Sequence, residues 1–190
     1  MPLDYITLML TNMAAGLLIL AGYFLWGLGK PNEKSWAPGL AIVGLVAVVA
    51  GFYMTFAWPI PKLEKMNLQW ANPAYGETTV MLGVLFLGAA LAAARGWSLV
   101  PVTIYGAIAG LIAILLGVRI IDLGLSAKPL LTAVGFILTG LAGLVSLWVA
   151  LKPQGRLPRV VAAVLLVPAA GLWLLTAALA YWGHLEALSK

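Results

Sequence analysis

The chain has 190 residues, 63% of them hydrophobic and 9% charged, where a soluble domain carries about 25% charged residues. So few charges exclude a water-facing surface and point to lipid as the solvent. Cysteine is absent, which excludes a disulfide framework, a thiolate metal site and a cysteine nucleophile. The net charge of +5 comes from cations scattered through connecting segments, with no basic stripe among polar readers, so a nucleic-acid partner is excluded.

A helix needs about 20 apolar residues to cross the hydrocarbon core. Six segments qualify. The first runs from about Tyr5 to Leu28 and stops at Lys30-Pro31-Asn32. Its start lacks a basic region, and the first cation, Lys30, follows the span, so a retained helix is expected rather than a cleaved signal peptide. The second runs from about Trp36 to Trp58 and stops at Pro59-Ile60-Pro61. The third runs from about Glu77 to Ala94, closed by Arg95-Gly96. The fourth runs from about Val100 to Leu123, with Pro101 tolerated in its first turn. The fifth runs from about Pro129 to Leu151 and the sixth from about Arg159 to Trp182. Four connections are short, so sequential helices should pack as antiparallel neighbours. The fifth connection, residues 59–76, is a long loop. The expected fold is one all-α domain over residues 1–190, a six-helix transmembrane bundle.

Lys30, Lys34, Arg95, Lys152, Arg156 and Arg159 fall on one side of the membrane, with Glu33 as their one acid. The other side carries Lys62, Lys65, Arg119, Lys128 and Lys190 against Asp4, Glu64, Glu77, Asp122 and Glu186. The positive-inside rule puts the first side in the cytoplasm and both termini outside. Tryptophans agree with these spans: Trp26, Trp36, Trp97 and Trp148 lie at inner boundaries, and Trp58, Trp70 and Trp182 at or near outer ones. Trp173, near the middle of the sixth helix, reads as a packed core aromatic or a ligand-stacking one. Gly83 and Gly88, Gly106 and Gly110, and Gly135, Gly140 and Gly143 mark close helix approach, because lipid supplies no hydrophobic push between helices. The two halves show no convincing residue match and no clear mid-span Gly/Pro break, so an inverted-repeat transporter plan gains little support.

The stretch "WANPAYGETT", residues 70–79, interrupts the apolar runs. Asn72-Pro73 signals a turn, and Gly76-Glu77-Thr78 then opens the third helix. A carboxylate there is stabilised by the positive helix end, or is aimed into the mouth of the bundle. The run Trp58-Pro59-Ile60-Pro61, the later Asn72, and Tyr75-Gly76-Glu77 before the apolar "LGVLFLG" resemble a prokaryotic family of small polytopic membrane proteins, catalogued as domain of unknown function 981. The insert "KLEKMNLQWA" and Thr78, where that family's pattern has proline, depart from it. The resemblance implies a multi-span fold and membrane residence, and brings no activity.

Polar groups inside a membrane are expensive and so are site candidates. Asn12 reads as an interhelical hydrogen-bonding residue or a site residue. Arg119 and Asp122 stand i,i+3 and can pair, or Arg119 can bind an anionic headgroup or substrate while Asp122 holds it. His184, the only histidine, follows Tyr181-Trp182-Gly183 and reads as solvated, a general base or one metal ligand. No HExxH or GxSxG motif accompanies it, so no catalytic residue, metal or cofactor is nominated. Asn12, Tyr75, Glu77, Arg119, Asp122, Tyr181 and His184 all project to the outer half, as an outward polar ligand pocket would require. The expected function is a binding or transport-type protein or accessory subunit. The alternatives are an intramembrane enzyme on a lipid-like substrate, with Glu77 or His184 as acid/base, and a purely structural subunit. Expected partners are membrane lipids, with a small-molecule ligand or a membrane-protein partner.

Overall fold

In lipid every backbone N–H and C=O must find a partner inside the protein, which leaves helices as the natural spanning form for such apolar runs. The computed structural model describes residues 5–57 and 69–188, and every regular element among them is helical. Six are long and apolar enough to cross a membrane.

α1 is regular over Tyr5–Gly22 and ends in a π turn over Tyr23–Gly27. The Leu28 N–H donates to Tyr23 O at 2.7 Å and closes that wide turn. A short 3-10 turn, Glu33–Trp36, leads into α2, Ala37–Ala57. α3 starts with a second π turn, Asn72–Glu77, and continues as Thr78–Arg95. α4 is Val100–Leu123, α5 is Pro129–Leu151 and α6 is Arg156–Leu188. Gly96 ends α3 and Gly124 ends α4 at φ 68° and 62°, a left-handed cap that glycine adopts without a Cβ clash.

Two helices differ in their bounds from the sequence expectation. α3 begins at Asn72 rather than Glu77, because Pro73 sits in the first turn, where its missing N–H would have had no intrahelical partner anyway. α6 extends beyond 159–182 at both ends. Pro158 lies in its first turn, and the helix continues through Gly183 and past the interior Pro168. Trp58, the Pro59-Ile60-Pro61 turn and the cations Lys62 and Lys65 lie outside the described residues, as do Asp4 and Lys190.

The helices form a closed ring. Each packs on its sequence neighbours, and α6 returns to pack on α1. The most extensive contact joins α4 to α5, where backbones nearly touch. A Cβ on Gly110 would lie 2.5 Å from Gly140 O, and one on Gly140 would lie 2.5 Å from Gly110 O. α2 and α3 meet the same way, since a Cβ on Gly83 would lie 2.6 Å from Val48 N. Small residues thus set the interhelical distance, as expected where dispersion must hold helices together. The outer surface is a belt of exposed apolar side chains, including Ile42, Phe56, Ile108, Leu115 and Val164. An apolar belt of that extent is larger than the apolar patches of a typical soluble monomer.

Candidate functional site

An apolar cavity of about 120 Å³ lies between α1, α3, α4, α5 and α6. α2 stands outside it and packs on α1 and α3. The cavity runs lengthwise: α3 lines it from Tyr75 to Ala89, about 20 Å at the helical rise per residue. Its polar lining is confined to Thr and Ser hydroxyls and the ring polar atoms of Tyr23, Tyr75 and Trp173. Most of the hydroxyls are turned back onto the helix that carries them. Thr103 Oγ1 donates to Leu99 O at 3.1 Å or Val100 O at 3.0 Å, Thr139 Oγ1 to Gly135 O at 2.8 Å and Ser146 Oγ to Gly143 O at 2.6 Å. Such back-bonding satisfies the hydroxyl locally and leaves the cavity wall apolar.

A tyrosine from a π turn stands at each end. Tyr75, buried in the turn that opens α3, packs against Trp70, Phe136 and Trp173, with ring centroids 5.9, 5.5 and 6.5 Å away. Phe136 and Trp173 meet edge to face at 5.3 Å, the arrangement that ring quadrupoles favour. At the other end Tyr23, fully buried in the turn that closes α1, donates its hydroxyl to Glu33 Oε1 at 2.7 Å. Glu33 Oε2 accepts the Gly29 N–H at 3.0 Å. π turns carry one residue more than the regular helical turn and recur at functional sites; here each places a large ring at a cavity end.

The Tyr23 end also holds Arg159, which the sequence reading counts only as a topology-setting cation. Its side chain is 8% exposed. Nη2 donates to Leu28 O at 2.8 Å and also to Pro153 O, so one guanidinium ties the α1–α2 connection to the α5–α6 connection. The available signal was spacing: Arg159, Leu166 and Trp173 recur every seven residues, on one face of α6.

The seven sequence candidates sort differently. Alternating helix directions put them toward one end of the bundle, opposite Arg159. Tyr75 alone among them lines the cavity. Arg119 and Asp122 form an ion pair through Nη1 and Oδ2, with side chains 54% and 56% exposed. Asn12 Nδ2 donates to Val43 O at 3.0 Å and so joins α1 to α2. Glu77, Tyr181 and His184 are exposed, and among the described residues no ion pair joins Glu77 to Arg119.

Six helices long and apolar enough to span a membrane, five of them around an apolar cavity, define the chain as a helical bundle. It belongs to the family described as protein of unknown function (DUF981), whose model it matches over residues 1–187. No curated protein and no solved structure matches it.

Proposed function

We propose that this is an integral membrane protein that binds the apolar chain of a lipid-like ligand in the cavity among α1, α3, α4, α5 and α6. The observation that carries this reading is the wall itself: a lengthwise apolar cavity whose hydroxyls are mostly spent on their own helices. A small polar solute would find few free hydrogen-bonding groups there, whereas an alkyl chain needs none. The orientation follows the cations, with the Arg159 end in the cytoplasm and both termini outside the cytoplasmic membrane. The outward mouth is then the Tyr75 end, flanked by the exposed Glu77, Arg119, Asp122, Tyr181 and His184. Glu77 and His184, the candidates for acid–base work, do not line the cavity, which favours binding over catalysis.

Filling the cavity tests the reading. Ala113 is buried and lines the cavity, whereas Ile108 on the same helix is exposed to the lipid side. Purified wild-type protein and Ile108→Phe should bind a fluorescent fatty acid saturably, and Ala113→Phe should not while retaining its thermal unfolding transition. Equal binding by all three would contradict the proposal.

A further inference from the structure

Buried polar groups in folded proteins almost always have partners, and each exception needs a physical reason. Among the described residues three buried side-chain atoms lack one: Arg159 Nε, Trp36 Nε1 and Asn72 Oδ1. They are not scattered. The two N–H donors lie at the Tyr23 end, where the Trp36 ring stands 6.3 Å from that of Tyr23. The acceptor, Asn72 Oδ1, lies in the π turn at the opposite end.

Arg159 is the exception with the greatest consequence. It is more than nine-tenths buried and carries a full charge. The groups it bonds, Leu28 O and Pro153 O, are neutral carbonyls. The Glu33 carboxylate is engaged by the Tyr23 hydroxyl and the Gly29 N–H, and no ion pair joins it to Arg159 among the described residues. Gly29 stands beside both groups: its N–H donates to Glu33, and a Cβ on it would stand in contact with Arg159 Nη2. Glu33 is thus a neighbouring charge and not a direct partner, and a buried cation held off its nearest counter-charge is unfavourable. Lys30, Lys34, Lys152 and Arg156 crowd the same end and add to the positive potential. Arg159 itself is not among the cavity-lining residues, but on α6 the same face that carries it continues to Leu166 and Trp173, which are.

We infer that the ligand is a single-chain anionic amphiphile, with its carboxylate or phosphate oxygen on Arg159 Nε and its chain along Leu166 and Trp173. This rests on the proposed chain-binding cavity and adds the charge and direction of the ligand. The head lies at the cationic end, and the chain points toward Tyr75. The fixed Nη2 bonds to two connections hold the guanidinium in place before the ligand arrives, so little side-chain entropy is lost on binding.

The test is competition against a fluorescent fatty acid on detergent-purified full-length protein. The competitors are a fatty acid, a lysophosphatidate, the neutral monoacylglycerol of the same chain length, and inorganic phosphate. The two anionic amphiphiles should bind about tenfold tighter than the monoacylglycerol, the scale of one hydrogen bond to a charged group. Phosphate alone should not compete. Arg159→Gln should remove that preference while leaving monoacylglycerol binding intact, and Arg159→Lys should keep part of it. Should Arg159→Gln fail to fold, the wild-type comparison and Arg159→Lys decide the matter. Equal binding of fatty acid and monoacylglycerol by wild type overturns the headgroup assignment and leaves the cavity reading standing. Competition by phosphate as strong as that of the amphiphiles overturns it too, in favour of a free anion. Binding of none of the chains removes the cavity reading itself.

Discussion

Trp173 Nε1 donates to Thr139 Oγ1 at 3.0 Å, and Thr139 in turn donates to Gly135 O at 2.8 Å. The indole can lie that close to α5 because position 135 has no side chain: a Cβ there would stand 2.7 Å from Trp173 Cζ2. A large ring is thus seated against a helix backbone, with its one polar atom satisfied, lining the cavity beside Phe136. Of the two sequence readings of Trp173, the packed core aromatic is the one this seating bears out.

That seating can be taken apart in steps. Trp173→Phe loses the hydrogen bond and part of the ring, and Thr139→Val removes the acceptor together with its own bond to Gly135 O; each should cost about 1 kcal/mol from the indole hydrogen bond alone. Trp173→Ala should cost about 3–5 kcal/mol, because it also enlarges the cavity. Thermal unfolding of the detergent-purified variants measures the order, and a Trp173→Ala protein as stable as Trp173→Phe would count against a packed indole.

The α4–α5 contact makes a sharper demand. Gly110 and Gly140 each face the other's carbonyl at a distance no Cβ tolerates. Gly140→Val should separate the two helices and lower stability by about 1–3 kcal/mol, the usual cost of overpacking. Gly171→Ala serves as the control, since a Cβ there meets nothing within 4 Å. Equal unfolding temperatures for the two variants would contradict the close approach.

At the opposite end of the cavity, Tyr23→Phe removes the hydroxyl that meets Glu33. The acceptor is charged and half-buried, so a loss of about 1.5 kcal/mol is expected. Glu33→Gln retains an acceptor for the same hydroxyl and should be milder. Reversal of that order would show that the carboxylate's charge, rather than the hydrogen bond, matters there.

Much of this fold is legible in the sequence, for a physical reason. Lipid demands long uninterrupted helices, so apolar run length marks α4 and α5 at their observed bounds. The misjudged starts are those where proline lies in a first turn, Pro73 and Pro158, since a proline there resembles a helix stop although the turn accepts it. The misjudged far end of α6 is at Gly183, which the helix runs through. Asn12 was legible as an interhelical hydrogen bond, the role it has with Val43, and Arg119 with Asp122 was legible from spacing. The cavity was not, because its wall is assembled from five helices whose facing residues are ordinary Leu, Ala and Gly. Arg159 was hidden differently. A cation beside a helix end looks like a topology signal, and only the fold reveals that it is turned inward.

The Arg119–Asp122 pair is half exposed, so it should contribute little to stability, about 0–1 kcal/mol. Asp122→Asn should unfold within that margin of wild type. A larger loss would mean that Arg119 depends on Asp122 to hold an otherwise unpaired charge at the membrane.

Orientation is open to chemical labelling. Lys34 and Lys128 are exposed in connections at opposite ends of the bundle. In intact cells a membrane-impermeant thiol reagent should modify Lys128→Cys and spare Lys34→Cys until the membrane is opened. Labelling of Lys34→Cys from outside would invert the proposed topology.

The central claim is that an alkyl chain enters the bundle. A fatty acid carrying a diazirine along its chain, incorporated into membranes with the protein and irradiated, tests it most directly. Peptide mapping should find label on Leu85 and Ala113, which line the cavity, as well as on the outward-facing Ile108 and Leu115. Label confined to Ile108, Leu115 and other lipid-facing positions would contradict the account.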